Sequence, residues 1–164
     1  MKLSQGGLLR NALTNVAYTV AGAFNLEVRF GHAPSTDGKI VYLPELPLDI
    51  ERKLPAPFSS VEQCVDVVRA CVLHEGGHCA HTDFESAGRM RCKTKGGLVS
   101  SLYQGIEDAR MEGEVISQFR GAKSLLAEGV RTMVEVNQIK IPETPAQALS
   151  SYVDAYGRHR MNEQ

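Results

Sequence analysis

The stretch LHEGGHCAHTDF, residues 73–84, places His74 and His78 four residues apart, with Glu75 beside the first and a third imidazole at His81. On an α-helix, positions i and i+4 share a face about one turn apart, so both imidazoles can present a ring nitrogen to one ion at roughly 2.0–2.1 Å. Glu75 is rotated one residue away, where its carboxylate can serve a water on that ion as general base without entering the coordination sphere. This H-E-x-x-H spacing is the pattern of metal-assisted peptide hydrolysis. Zn²⁺ is the expected ion, because imidazole and carboxylate ligands with one open position suit it.

Two histidines leave a tetrahedral site one protein ligand short, and the candidates are His81, Asp83, Glu107, Asp108 and Glu112. His81 follows on the same face, but the next turn carries its side chain along the helix axis, so it is assigned to the rim. Asp83 is placed to orient an imidazole or to cap a helix. The stronger source is GIEDARMEGE, residues 105–114, on a following helix. Glu107 and Asp108 project about 100° apart and cannot both face the ion. The Asp108 face also carries Gly105, Met111, Glu112 and Val115 and reads as half-buried, whereas the Glu107 face carries Ser100, Gln104, Arg110 and Glu114 and reads as wet. Asp108 is therefore preferred over Glu107 as third ligand, with Glu112 placed among the surrounding or rim groups.

These residues need elements to hold them. Ser59 and Ser60, with Glu62 or Gln63 in the first turn, mark the start of a helix that runs from about Val61 into the motif. Val61, Cys64, Val65, Val68, Cys71 and Val72 form its buried stripe, and continuing that stripe leads to Glu75 and His78. An acid on a core face is costly unless it is paired or used. Gly76 and Gly77 each cost about 1 kcal/mol inside a helix relative to Ala, which predicts close approach of another helix or of a substrate backbone there.

Elsewhere the spacing predicts a helix over roughly residues 4–23, one from near Leu98 through Phe119, one over about 122–136, and a last one capped by Thr144 with Pro145 at its first position. LEVRF and KIVYL read as short strands joined as a hairpin or as two edge strands through GHAPSTDG. Four of the seven prolines fall between Leu43 and Pro57, which makes that segment an ordered loop. ESAGRMRCKTKGG breaks the helical pattern and gathers Arg89, Arg91, Lys93 and Lys95 in a basic loop, with no interleaved aromatics to stack nucleic-acid bases. The expected fold is α+β and mainly helical, with the motif helix packed on a second ligand-bearing helix beside a small β-hairpin or edge strand.

The 164 residues suit one domain, spanning 1–164, and the formal net charge of −1 gives no global field toward nucleic acid or anionic membrane. No segment approaches membrane-spanning length, and the N-terminus lacks the unbroken apolar core of a signal peptide, so a cytoplasmic protein is expected. Cys64, Cys71, Cys79 and Cys92 form no C-x-x-C pair and are expected as reduced, buried thiols.

HEGGHCAHTDF followed by GIEDARMEGE, and preceded by TDGKIVYLP, resembles the N-terminal part of CobT-type cobaltochelatase subunits and their bacterial and phage relatives, over roughly residues 30–115. That resemblance implies a zincin-like metallopeptidase fold, with His74 and His78 as ligands, Glu75 as catalytic glutamate and the Glu107–Asp108 pair supplying the third ligand. It also implies that Lys39, Ile40, Val41 and Tyr42 form an edge strand along which peptide substrate lies. Relatives tend to carry an apolar residue where this chain has His81. The D-x-S-x-S motif of the von Willebrand factor A domain that usually accompanies such domains is missing from this sequence, as is a P-loop. A stand-alone domain or the N-terminal part of a longer chain is expected, and chelatase activity does not follow. Two functions compete: a zinc-dependent peptidase acting on a peptide or protein substrate, and a non-catalytic zinc-stabilised module that works with an AAA+ ATPase. Retention of Glu75 favours the first.

Overall fold

The computed structural model describes residues 4–94 and 97–162. Its elements, in chain order, are α1 (Gln5–Ala21), β1 (Glu27–Phe30), β2 (Ser35–Thr36), β3 (Ile40–Leu43), α2 (Val61–His81), α3 (Phe84–Thr94), α4 (Gly97–Gln118), α5 (Ala122–Glu135) and α6 (Pro145–Asn162). The chain is mainly helical with one small three-stranded sheet. Among the described residues no helix is long and apolar enough to cross a membrane.

The motif helix α2 lies at the centre, with α1, α4, α5 and β3 all packed on it. Its start is fixed as the sequence requires: Ser60 Oγ accepts from the Gln63 amide at 3.2 Å, and Gln63 Oε1 accepts from the Ser59 amide and hydroxyl at 3.0 and 2.8 Å. Cys64, Val67, Val68 and Val72 are fully buried against Leu13 and Ala17 of α1, Val41 and Leu43 of β3, and Leu46 and Ile50 of the proline-rich loop. A second apolar cluster joins Val20 and Leu73 to Met111, Val115, Ala122 and Leu126. Cys64 and Cys71 are buried, and burial pushes their thiols up to about 11 and about 12; Cys79 is half-buried, and Cys92, contrary to expectation, is exposed.

The sheet corrects the hairpin reading. Its order is β1-β3-β2: β1 runs parallel to β3, and β2 runs antiparallel to it. The connection reverses the chain twice. Gly31 turns it with φ 95°, and Asp37–Gly38 turns it again, with Asp37 Oδ1 accepting from the Lys39 and Ile40 amides at 2.8 Å and Gly38 at φ 85°. Two reversals bring β3 back parallel to β1. Ile40, Val41 and Tyr42 therefore occupy the central strand, paired on both sides, with Lys39 just before it, and none of the four forms a free edge. The strand with an unpaired side next to the motif helix is β2.

The second correction is α3, a helix where a break was expected. Asp83 caps it, accepting from the Glu85 and Ser86 amides at 3.1 and 3.0 Å, and Glu85 pairs with Arg89 one turn on. The break falls instead at Thr82–Asp83. Arg89 and Lys93 thus lie on a helix, while Lys95 is outside the described residues.

Gly76 and Gly77 do admit neighbouring helices. A Cβ on Gly76 would sit 3.3 Å from the Val20 side chain of α1, and one on Gly77 would collide with Met111 Sδ and reach Val115 Cγ2 at 2.6 Å on α4. Gly88, on α3, faces open space. Alanine at Gly77 is expected to destabilise the fold by about 1–3 kcal/mol through overpacking, despite its better helix propensity. Alanine at Gly88 should stabilise it by up to about 1 kcal/mol. Chemical denaturation of both variants reads the two signs, and stabilisation by Gly77→Ala would contradict the close α2–α4 contact.

Candidate metal centre

Three ligand atoms from two helices converge. His74 Nε2 and His78 Nε2 lie 3.1 Å apart, and Asp108 Oδ1 lies 3.2 Å from His78 Nε2 and 3.9 Å from His74 Nε2. Ligand atoms of a tetrahedral zinc site with bonds of 2.0–2.1 Å stand about 3.4 Å apart, so this triangle has the right size for one ion. The His74–His78–Asp108 group can hold a metal ion.

The far side of each imidazole fixes its tautomer. His74 Nδ1 lies 2.8 Å from Glu112 Oε1, and because a carboxylate only accepts, Nδ1 carries a hydrogen, which in the neutral ring leaves Nε2 with a lone pair. His78 Nδ1 lies 2.8 Å from Thr82 Oγ1. The Thr82 hydroxyl gives its single hydrogen to Glu107 Oε1 at 2.7 Å and so accepts from His78 Nδ1–H. Two nitrogen lone pairs and a carboxylate oxygen therefore face one another, an arrangement that repels itself unless a cation sits among them. The donor set fits a divalent ion, with the ring orientation that metal-bound imidazoles receive from outer acceptors.

Asp108, at the α4 position expected to be half-buried, is thus the acid that joins the histidines. Glu107 does not join them. It is held by Arg110, whose Nε and Nη2 donate to it at 2.8 and 2.7 Å, and it acts on the site through Thr82. Glu112 is 5 % exposed and stands behind His74. His81 ends α2 away from the converging atoms: its carbonyl accepts from Arg110 Nη2 at 2.6 Å, and its buried Nε2 has no hydrogen-bond partner among the described residues. Asp83 is exposed and caps α3, so it orients no imidazole. Lys39 to Tyr42 are likewise absent from the wall of the adjoining cavity, where Ser35, Thr36 and Asp37 stand instead.

That cavity measures about 590 Å³ and opens onto Glu75, His78 and Asp108. Phe84, Ala87 and Met90 of α3 supply an apolar wall, and Tyr103, Gln104 and Glu107 of α4 a polar one. Glu75 is 6 % exposed, and the ion pairs of the histidines run to Asp108 and Glu112 rather than to it. Burial pushes its carboxyl above the usual 4.5, with His74 and His78 opposing and Asp108 adding to the rise. Asp108 goes the other way: burial favours its neutral form, but His78, whose Nε2 lies 3.2 Å away, and the positive charge of His74 and Arg158 hold it below 3.8. His74 loses to burial and gains more from Glu112 and Asp108, so it binds a proton above 6.5.

The salt bridge between Glu107 and Arg110, three residues apart, was readable from the sequence and is present. Sequence reasoning missed Thr82 and, on α6, Arg158, which reaches Glu112, with Asp154, which holds Arg158. Arg158 Nη2 lies 3.3 Å from Glu112 Oε1, and Arg158 Nε 2.9 Å from Asp154 Oδ1. An Asp and an Arg four apart on the small-residue side of the last helix were the available signal. Comparisons with protein-family models, curated proteins and solved structures find no match to this chain.

Asp108→Ala is expected to lose stoichiometric metal, whereas Glu107→Gln, which loosens only the Thr82 brace, should keep it with affinity lowered about 10-fold or less. Equal losses in metal analysis would contradict the ligand assignment. Proton and metal compete for His74 Nε2, so apparent affinity should fall as pH drops through the raised His74 value. In metal-free protein the linkage has the opposite sense. The stability from protonated His74 is complete below about pH 6.5 and is lost as pH rises through the folded value. Melting temperatures with chelator and with added metal across pH 5.5–8.5 should therefore diverge upward, on the order of a few degrees.

Proposed function

We propose that the protein is a zinc-dependent metallopeptidase in which Glu75 is the general base. The observation that carries this reading is the union of three features: His74 and His78 nitrogens that converge with Asp108, a cavity that opens onto His78, Asp108 and Glu75, and a buried Glu75 carboxylate that the ion pairs of the histidines leave aside. A bound Zn²⁺ would acidify a water molecule and polarise a substrate carbonyl. The remaining work falls to the chain. Glu75 accepts a proton at its carboxylate and passes it to the leaving amine, a role for which a raised proton affinity is suited. Glu112 and Thr82 keep both rings facing the reaction centre. The unpaired side of β2, at Ser35 and Thr36, offers backbone groups to an extended peptide, and the apolar wall of Phe84, Ala87 and Met90 can receive one of its side chains. A zincin-like, CobT-type ancestry belongs to the same proposal and rests on the sequence resemblance; an AAA+ ATPase partner belongs to the competing, non-catalytic module.

Glu75→Gln keeps the side chain's shape and removes the base. It should retain metal and melting temperature while lowering peptide cleavage by about 10²–10⁴-fold or more. Wild-type turnover must first be found in a peptide library or by self-cleavage. No turnover across a broad library, together with a Gln variant that works as well as wild type in cells, would sink the peptidase reading and leave a zinc-stabilised binding module.

A further inference from the structure

We propose that Arg158, on the C-terminal helix α6, is a positioning residue of the metal centre: it holds the Glu112 carboxylate that orients His74, so the centre is complete only with α6 docked on α4. The inference rests on His74, His78 and Asp108 being the metal ligands.

One oxygen does both jobs. Glu112 Oε1 accepts from His74 Nδ1 at 2.8 Å and faces Arg158 Nη2 at 3.3 Å. Arg158 Nε donates to Asp154 Oδ1 at 2.9 Å, so the chain His74–Glu112–Arg158–Asp154 crosses α2, α4 and α6. A guanidinium can hold two acids at once through its fixed fork, which a lysine ammonium on a flexible stem does less well. The backbone is shaped to deliver it. A Cβ on Gly157 would stand 2.7 Å from Ala109 Cβ, and one on Gly105 would stand 3.4–3.5 Å from Asp154, so α6 meets α4 at two glycine contacts in the turn leading into Arg158. Charge agrees with geometry. Arg158 faces Glu112 and Asp154 directly and acts on Asp108 through its charge, and one guanidinium plus one divalent ion would balance these three carboxylates.

Two effects of removing Arg158 oppose each other. Less positive charge near the centre strengthens attraction for a cation, but a carboxylate buried to 5 % exposure without its guanidinium turns away toward solvent, releasing the ring it holds. Loss of such an outer partner usually weakens metal binding by about 10–100-fold. The sign of the change separates the two.

The test measures Zn²⁺ dissociation constants by chelator competition in wild type, Arg158→Met, Glu112→Gln and the double variant, with helicity and melting temperature in chelator as the fold control. Each single variant should bind at least about 10-fold more weakly. The double should bind within about twofold of Glu112→Gln alone, because Arg158 acts through Glu112. Arg158→Lys should recover part of the loss. Unchanged or tighter binding in Arg158→Met overturns the proposal, as does an additive loss in the double variant, which a merely structural role would give. Should Arg158→Met fail to fold, Asp154→Asn, which removes only the second anchor of the guanidinium, takes its place in the same cycle. If wild type binds no divalent ion, the ligand reading itself has failed. The ¹⁵N ring shifts of His74 then decide: loss of the Nδ1–H form in Arg158→Met supports the brace, and an unchanged tautomer overturns it.

Discussion

Much of this structure follows from two hydrogen bonds made on the outer sides of His74 and His78. By holding each Nδ1–H, Glu112 and Thr82 turn both Nε2 lone pairs inward to a separation of 3.1 Å, with a carboxylate oxygen 3.2 Å from the second. No neutral arrangement of these three groups satisfies all of them, since lone pairs meet lone pairs and the carboxylate adds negative charge. A proton shared at His74 relieves the conflict in part, and a divalent ion relieves it fully. The outer groups are thus as much a part of the centre as the ligands, and each is anchored in turn, Glu107 by Arg110 and Glu112 by Arg158.

The same helix must be core and site at once. Through Val72 it belongs to the buried cluster, and within one turn it presents His74, Glu75 and His78. Gly77 lets α4 approach until Met111 and Val115 contact the α2 backbone, and Asp108, Met111, Glu112 and Val115 lie on one stripe of α4 at helical spacing. That closeness selects the acid. A short aspartate reaches the imidazole nitrogens across a narrow gap, while Glu112, one turn further on, passes behind His74 to its other nitrogen.

The parts legible in the sequence were those written in local periodicity. The valine and cysteine stripe of α2, its serine cap, the glycine pair and the choice of Asp108 over Glu107 all follow from which face of a helix is apolar. What was missed depended on pairing between segments or on chemistry at a single cap. Two reversals in eight residues place β3 at the centre of the sheet, and periodicity within KIVYL says nothing of which neighbours it will have. A capping aspartate at Asp83 outweighed the weak helix signal of a Gly-containing basic stretch and made α3 a helix. Thr82 and Arg158 were invisible for a different reason: each acts by touching a group brought from another helix, at sequence separations of 25 and 46 residues.

The environments of Asp108 and Glu75 push two neighbouring carboxyls apart in proton affinity. Both carboxyls are largely enclosed and both lie near the two histidines, yet they are driven in opposite directions. Burial acts first on each, but Asp108 lies 3.2 Å from His78 Nε2 and is also held by the charges of the histidines and Arg158, so it stays on the ionised side, as a metal ligand would have to. Glu75 receives charge from the histidines without so close a contact, so burial prevails and its affinity for a proton rises. Carboxyls whose surroundings separate their proton affinities are the arrangement that lets one hold charge while the other exchanges a proton. A cation among His74, His78 and Asp108 would cancel the repulsion Asp108 exerts on Glu75 and draw its proton affinity back down. Burial and such an ion would then oppose each other at one carboxylate, and that opposition would keep a buried acid able both to take a proton and to give it up.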